Sequence, residues 1–391
     1  MKYDFDEIIE RRGSNSLKYD CAEERGMPDG LLPLWVADMD FRTPPPVVEA
    51  LKEVAAHGIF GYSMAKEPYY AALQAWFSRH FRYETEREWI VQSPGVVFAI
   101  STAVRAFSGE GDGVLIQRPV YYPFSSSIRA NGRKIINSPL VLEDGKYLID
   151  FEDFERKIVE NHVGLFIFCS PHNPVGRVWT EEELKRTGEI CLKHGVVVVS
   201  DEIHCDFVFP GHRHTVFAGI SPAFADISLT CTAPSKTFNM PGLQISNILI
   251  PNRNLRQRFK QEIHKTGYDE MNVFGLAACR SAYADGGEWL DALRAYLLGN
   301  LNFLRGYIKE QLPGIKLIEP EGTYLAWLDC RALGLSAGEL DDWVVKKAGL
   351  WLDGGVMFGE EGAGFQRINI ACPRSLLQQA LAQLKGAFVS G

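Results

Sequence analysis

The strongest constraint on this chain is an alternation of strand-like and helix-like segments between residues 114 and 250. Short strand-like runs recur at 114–117, 135–137, 164–169, 196–200, 227–232 and 244–250. The clearest, 164–169 and 196–200, are apolar almost throughout, as in strands buried on both faces. Capped helical patterns fall between them. Asp150 caps Phe151–Glu160 with Asp153 at the third helical position, and Thr180 with Glu183 forms a capping box. The helix that follows Thr180 runs to His194 and stops at Gly195. Buried strands separated by helices predict an α/β fold: a large domain with a mostly parallel central sheet covered by helices.

The ends read differently. Trp289, Leu290, Leu293, Leu297, Leu301, Leu304 and Ile308 recur at helical spacing, and Pro313-Gly314 stops the pattern. Strands are expected at 324–328 and 366–370, with helices near 337–347 and 374–388. The N-terminal arm has little periodicity and a Pro44-Pro45-Pro46 break. These features predict a smaller α+β domain from residues 1–45 and 288–391, beside a large domain at 46–287.

Composition narrows the function. The 391 residues carry a formal charge of −8 and no long basic block, so a nucleic-acid partner is not expected. At 46% hydrophobic and 12% aromatic, the chain is too apolar to be disordered. The start lacks an apolar signal core and no apolar run is long enough to span a bilayer, so a cytoplasmic protein without a membrane partner is expected. None of the 8 cysteines forms a C-x-x-C pair, and no metal site is expected. Arg253, Arg256, Arg258 and Lys260 read as one solvated helix face.

Three segments at strand ends could carry chemistry. Cys169-Ser170-Pro171-His172-Asn173-Pro174-Val175-Gly176 puts an amide side chain in a tight turn. Val197-Val198-Val199-Ser200-Asp201-Glu202-Ile203-His204 runs from apolar residues into two acids. Ala233-Pro234-Ser235-Lys236-Thr237-Phe238-Asn239 places a lysine just after a strand. Taken alone, each has a plain structural reading: a turn, a helix cap or ion pair, a surface lysine. Functionally, a carboxylate at the C-terminal end of a strand sits where open α/β sheets bind ligands, and a lysine amine can form a Schiff base.

Together, Asn173, Asp201 and Lys236, spaced by 28 and 35 residues, resemble the fold-type I pyridoxal-phosphate enzymes, the aspartate aminotransferase superfamily. The resemblance runs from Trp35 to Arg374 and implies pyridoxal 5′-phosphate as cofactor. By that resemblance Lys236 is the Schiff-base lysine, and Asp201 keeps the pyridine nitrogen protonated. Asn173 donates to the phenolic oxygen, and His204 stands where many relatives place a tyrosine with that role. Tyr121, in Arg118-Pro119-Val120-Tyr121-Tyr122-Pro123, stacks on the ring. Gly95, Val96 and Val97 open a helix whose N–H groups hold the phosphate, with Ser235 adding a hydroxyl. Tyr62 reaches the phosphate across a dimer interface, which implies a homodimer. Arg367 grips the substrate carboxylate. Two positions depart from many relatives: Gln244 stands in place of an arginine, and Ala233 in place of Ser or Thr.

A narrower resemblance is to the C–S lyase group, with cystathionine β-lyase activity. It rests on Trp35-Val36-Ala37-Asp38-Met39-Asp40-Phe41, Phe60-Gly61-Tyr62, Asp201-Glu202-Ile203-His204-Cys205-Asp206 and Ser235-Lys236-Thr237-Phe238-Asn239 with Gly242-Leu243-Gln244. The segment from Arg12 to Asp20 is similar to that group's N-terminal signature. The implied reaction is β-elimination from L-cystathionine or related cysteine S-conjugates, giving a thiol, pyruvate and ammonia. Lys236 would remove the Cα proton, with Tyr121 and Asp201 assisting. Ala37, Tyr122 and Arg367 would contact the substrate. An aminotransferase of class I/II is the alternative, because no motif reports where the proton returns. One member of the group also contacts a transcription activator, so a regulatory protein partner stands as an addition to catalysis.

Overall fold

The computed structural model describes residues 3–389. The outermost residues of the expected small domain, 1–2 and 390–391, lie outside the described residues. Seven strands form the central sheet: β1 (Ile90–Ser93), β2 (Gly113–Ile116), β3 (Lys134–Asn137), β4 (Leu165–Cys169), β5 (Val197–Asp201), β6 (Ser228–Thr232) and β7 (Ser246–Leu249). Their spatial order is β1-β7-β6-β5-β4-β2-β3. Every pair among β2–β6 is parallel, whereas β7 runs antiparallel to both β1 and β6. The sheet is therefore mostly parallel, as the apolar runs imply.

The period of two explains why a strand such as β4 is apolar throughout. Leu165, Ile167 and Cys169 of β4 join one core with Ala99, Ile100 and Ala103 of helix α1 (Val96–Phe107). The alternate residues Phe166 and Phe168 face the other way, against Phe154 of α2 (Phe151–Glu160) and Leu184 of α3 (Glu181–His194). The caps are those the sequence predicts. Asp150 accepts from the N–H groups of Glu152 and Asp153, Thr180 and Glu183 form the box, and Gly195 ends α3 at φ 66°.

After β6 the chain makes only a short helix, α4 (Pro234–Thr237), and one further turn at Pro241–Leu243 before β7. Neither crosses the sheet, so the next strand returns antiparallel. The triple proline is a helix start rather than a break: Pro44 caps the helix Pro45–His57, and Pro45 occupies its first turn. The cations near residue 256 are not a plain solvated face. Arg256 donates to the carbonyls of Ile250 and Pro251, and Arg258 donates to Ala106 while lying over the Phe107 ring.

Helix α5 (Gly287–Gln311) buries all seven apolar residues named above. Beyond it lies an antiparallel sheet of β8 (Lys316–Ile318), β9 (Leu325–Asp329), β10 (Asp353–Gly354) and β11 (Phe365–Asn369), in the order β8-β9-β11-β10. The N-terminal arm reaches this region, where Leu32–Pro33 pairs in parallel with Leu350–Trp351. Among the described residues no helix is long and apolar enough to cross a membrane.

Candidate active site

A cavity enclosing about 790 Å³ opens at the C-terminal ends of β4, β5 and β6 and meets the N-terminus of α1. In an open α/β sheet this edge is where ligands bind. Ala37, Gly95, Val96, Val97, Tyr121, Asn173, Asp201, His204, Ser235 and Lys236 all line it, as does Gln244. Thus side chains distant in sequence converge because successive parallel strands end at one edge.

Lys236 sits on the single turn of α4 directly after β6. Its Nζ donates to the Ala37 carbonyl at 2.8 Å. Burial lowers its pKa to about 8 from the usual 10.5, with Arg367 pushing the same way and Asp38 and Asp201 opposing. About a tenth of the amine is therefore neutral near pH 7, against well under a hundredth at the ordinary value.

Ala37 lies on a strap, residues 35–41, that is fixed from several sides. The Tyr324 hydroxyl also donates to the Ala37 carbonyl, at 2.9 Å. Asn369 Nδ2 donates to the carbonyls of Val36 and Asp38 at 2.7 and 2.6 Å. Asn239 accepts from the Met39 N–H and donates to the carbonyls of Met39 and Phe41. Arg11 and Lys18 bind the strap's two acids, Asp38 and Asp40.

Asp201 ends β5. The hydrogen bond its carboxylate accepts is from the Ile203 N–H, at 3.2 Å. Burial pushes its pKa up to about 7, against that hydrogen bond and the charge of Lys236. His204 is also buried, its Nδ1 has no partner, and burial with the charges of Lys236 and Arg367 holds its pKa well below 6.5. It is therefore a neutral ring. Tyr121 is placed by its N–H, which donates to the Asn173 carbonyl at 3.0 Å, and burial raises its phenol pKa.

Helix α1 begins without a side-chain cap, so its first N–H groups face the cavity edge unsatisfied. Gly95 precedes it in extended backbone that any residue can adopt. A Cβ added there would meet no protein atom within 4 Å. The protein itself does not require glycine at this point; the bare Cα leaves room on the cavity side.

Three expected site residues fall outside the cavity lining. Arg367, from β11, is buried behind it. Its Nη1 donates to Asn173 Oδ1 at 3.0 Å, its Nη2 donates to the Trp35 carbonyl at 2.8 Å and bonds the Asp353 carboxylate, and its Nε has no partner. The expected carboxylate grip is thus occupied by Asp353, an acid no sequence motif marks. Burial raises the Asp353 pKa, and Arg367 opposes that rise. Tyr122 adjoins Tyr121, with ring centroids 5.5 Å apart, and is 37% exposed. Tyr62 is 95% exposed and far from enclosed.

Sequence motifs miss Asp353, Tyr324, Asn239 and Asn369 as organisers of this site. Only Asn239 carries a signal, since it stands three residues after Lys236 within a quoted motif. The full donor set is specific: free helix N–H groups for an anion, a buried carboxylate for a protonated ring nitrogen, and a partly neutral amine for an electrophilic carbon. These residues fit pyridoxal phosphate, whose groups answer each feature in turn.

Residues 30–384 match the family model "Aminotransferase class I and II". The chain is 46% identical to "Cystathionine beta-lyase PatB" of Bacillus subtilis, over 98% of this chain and 99% of that one. It is 34% identical to "Protein MalY" of Escherichia coli, over 98% of both. Among solved structures, cystalysin from Treponema denticola, described as containing a pyridoxal 5′-phosphate cofactor, superposes with a TM-score of 0.96. The two are 39% identical and each chain is wholly covered. By sequence and by structure, then, the chain belongs to the class I and II aminotransferase family, in the branch of the cystathionine β-lyases and C–S lyases.

Proposed function

We propose that this protein is a pyridoxal-phosphate-dependent C–S lyase. With one water, it cleaves L-cystathionine or related cysteine S-conjugates to a thiol, pyruvate and ammonia. The observation that carries this reading is the pair of half-buried Lys236 and buried Asp201 in one cavity, both shifted towards neutrality. The choice of elimination over amino transfer is supported by the full-length similarity to a named cystathionine β-lyase.

When bound, pyridoxal phosphate supplies an electron-accepting ring that stabilises charge at the substrate Cα while a β-substituent leaves. The N–H groups at the head of α1, with Ser235, hold the phosphate. Asp201 keeps the proton on the ring nitrogen, and its return to the charged form restores an ion pair in place of a strained buried acid. Asn173 and His204 would hold the phenolic oxygen, and Tyr121 would support the ring, since all three line the cavity. Arg367, whose Nε has no partner while Asp353 holds its Nη2, would orient the substrate carboxylate, with Ala37 and Tyr122 alongside the substrate. Lys236, neutral in part, takes the Cα proton and returns a proton to the departing sulfur.

The surface around Tyr62 supports a homodimer. Ile59, Phe60, Tyr62 and Met64 are all exposed within one short segment. Such a patch is covered by a second copy, whose site Tyr62 then completes. The two structural units of each copy are residues 46–287, and 1–45 with 288–391. Eight free cysteines, seven of them buried, suit a cytoplasmic location.

The test is an assay of the holoenzyme with L-cystathionine. Thiol and pyruvate should appear in equal amounts. Amino transfer to a keto acid without thiol release would instead make the protein an aminotransferase. A Tyr62→Phe variant should bind the cofactor more weakly.

A further inference from the structure

One carbonyl beside the cavity accepts two hydrogen bonds. Lys236 Nζ donates to the Ala37 oxygen at 2.8 Å, and the Tyr324 hydroxyl donates to the same atom at 2.9 Å. Tyr324 stands directly before β9 and is wholly buried. Its ring packs edge-on against Phe207 and His204, with centroids 4.9 and 5.6 Å apart, and its own carbonyl accepts from the Ile370 N–H. Those contacts fix the ring without help from the hydroxyl. The Ala37 carbonyl does not need the hydroxyl for its aim either, since Asn369 holds the carbonyls of Val36 and Asp38 on both sides of it.

What the hydroxyl changes is therefore the strength of the shared oxygen as an acceptor. A carbonyl has two lone pairs, and a donor on one draws electron density from the other. The second donor then meets a weaker acceptor. An ammonium gains more from a strong acceptor than a neutral amine does, so a weakened acceptor favours the neutral amine. Burial raises the Tyr324 phenol pKa, Asp38 and Tyr121 add to the rise and Arg367 opposes it. The hydroxyl therefore keeps its proton, and keeps donating, wherever Lys236 titrates.

The charges facing Lys236 come from three elements. Asp38 on the strap and Asp201 at the end of β5 favour the charged amine, and Arg367 on β11 opposes them. His204, which also faces it, is neutral. Tyr324 adds to this balance a device that carries no net charge.

We propose that Tyr324 is a positioning residue for proton transfer, acting through the Ala37 carbonyl to keep the Lys236 amine free to take a proton. The proposal deepens the lyase reading and rests on Lys236 as its base.

The test follows the acetylation rate of Lys236 against pH in the full chain without cofactor, read by peptide mass spectrometry. Lys236 is half-buried in an open cavity, so a small anhydride reaches it. In Tyr324→Phe the midpoint should rise by about half a pH unit. Tyr324→3-fluorotyrosine, a stronger donor of nearly the same shape, should lower it, and serves alone if the phenylalanine variant does not fold. In the holoenzyme the acid limb of kcat for thiol release from L-cystathionine should move in the same directions. A midpoint that fails to rise in the first folded variant or to fall in the second overturns the proposal, as does a midpoint that moves while the limb stays. If the wild type releases no thiol, the lyase reading fails, and the acetylation midpoints alone decide whether Tyr324 governs Lys236.

Discussion

Near the N-terminus, Arg11 and Lys18 meet Asp38 and Asp40 in the interior, with nitrogen–oxygen distances of 2.6 Å, 2.7 Å and 2.6 Å. In the cavity, a half-buried lysine and a buried aspartate are not matched in this way. Lys236 spends its hydrogen bond on a carbonyl, and Asp201 accepts only from an N–H. The first cluster holds a strap in place. The second keeps its charges unsettled until a ligand arrives, which is why both pKa values move towards neutrality. Burial of a charge is thus no guide to function by itself; the identity of its partner is.

Four substitutions break or sharpen this contrast. The largest effect belongs to Lys236→Ala, which should lower kcat for thiol release by about 10³-fold or more while the fold persists by circular dichroism. Next, Lys18→Met removes one side of the matched cluster and leaves Asp40 to Arg11 alone. It should cost about 3 kcal/mol in denaturant unfolding. A loss no greater than that of a surface variant would show that the N-terminal cluster is not structural.

Asp201→Asn acts in the opposite direction on stability. The Asp201 pKa is about 7 in the folded chain against 3.8 ordinarily. Its stabilising effect is complete below pH 3.8 and is lost as pH rises through 7. Asparagine has no such dependence. Without cofactor, the variant should therefore be more stable than the wild type at pH 8, by on the order of 4 kcal/mol, with the difference closing towards pH 4. Its kcat should fall because the ring nitrogen loses its counter-ion. A melting-temperature series across that pH range reads the first effect. Smallest of all is Lys52→Ala, which breaks the exposed pair with Glu49 and should change stability by less than about 0.5 kcal/mol.

Much of this arrangement is legible in the sequence because its causes are local. A strand covered on both faces is apolar along its length, as β4 is throughout and β5 is until Ser200 and Asp201 at its end. A helix start needs an acceptor for its free N–H groups, and Asp150 and Thr180 supply it. Asn173, Asp201 and Lys236 follow strand ends, so the topology delivers them to one edge. What stays hidden depends on distant pairings. The reversal of β7, the Asp353 that occupies Arg367, and the Asn369 bonds to the strap have no period or spacing to announce them. Pro45 misleads for a different reason, since proline ends a helix from within but suits its first turn.

The strap has a consequence in time as well as in space. Ala37 leaves the ribosome long before Asn369, the asparagine that fixes its flanks. Contacts this far apart in sequence close late in folding. A nascent chain can already hold Lys236 and Asp201 near one another while the carbonyl that aims the lysine still wanders. Competence therefore waits for the segment that carries Asn369, and a product terminated before it is left inert even where its central sheet has folded.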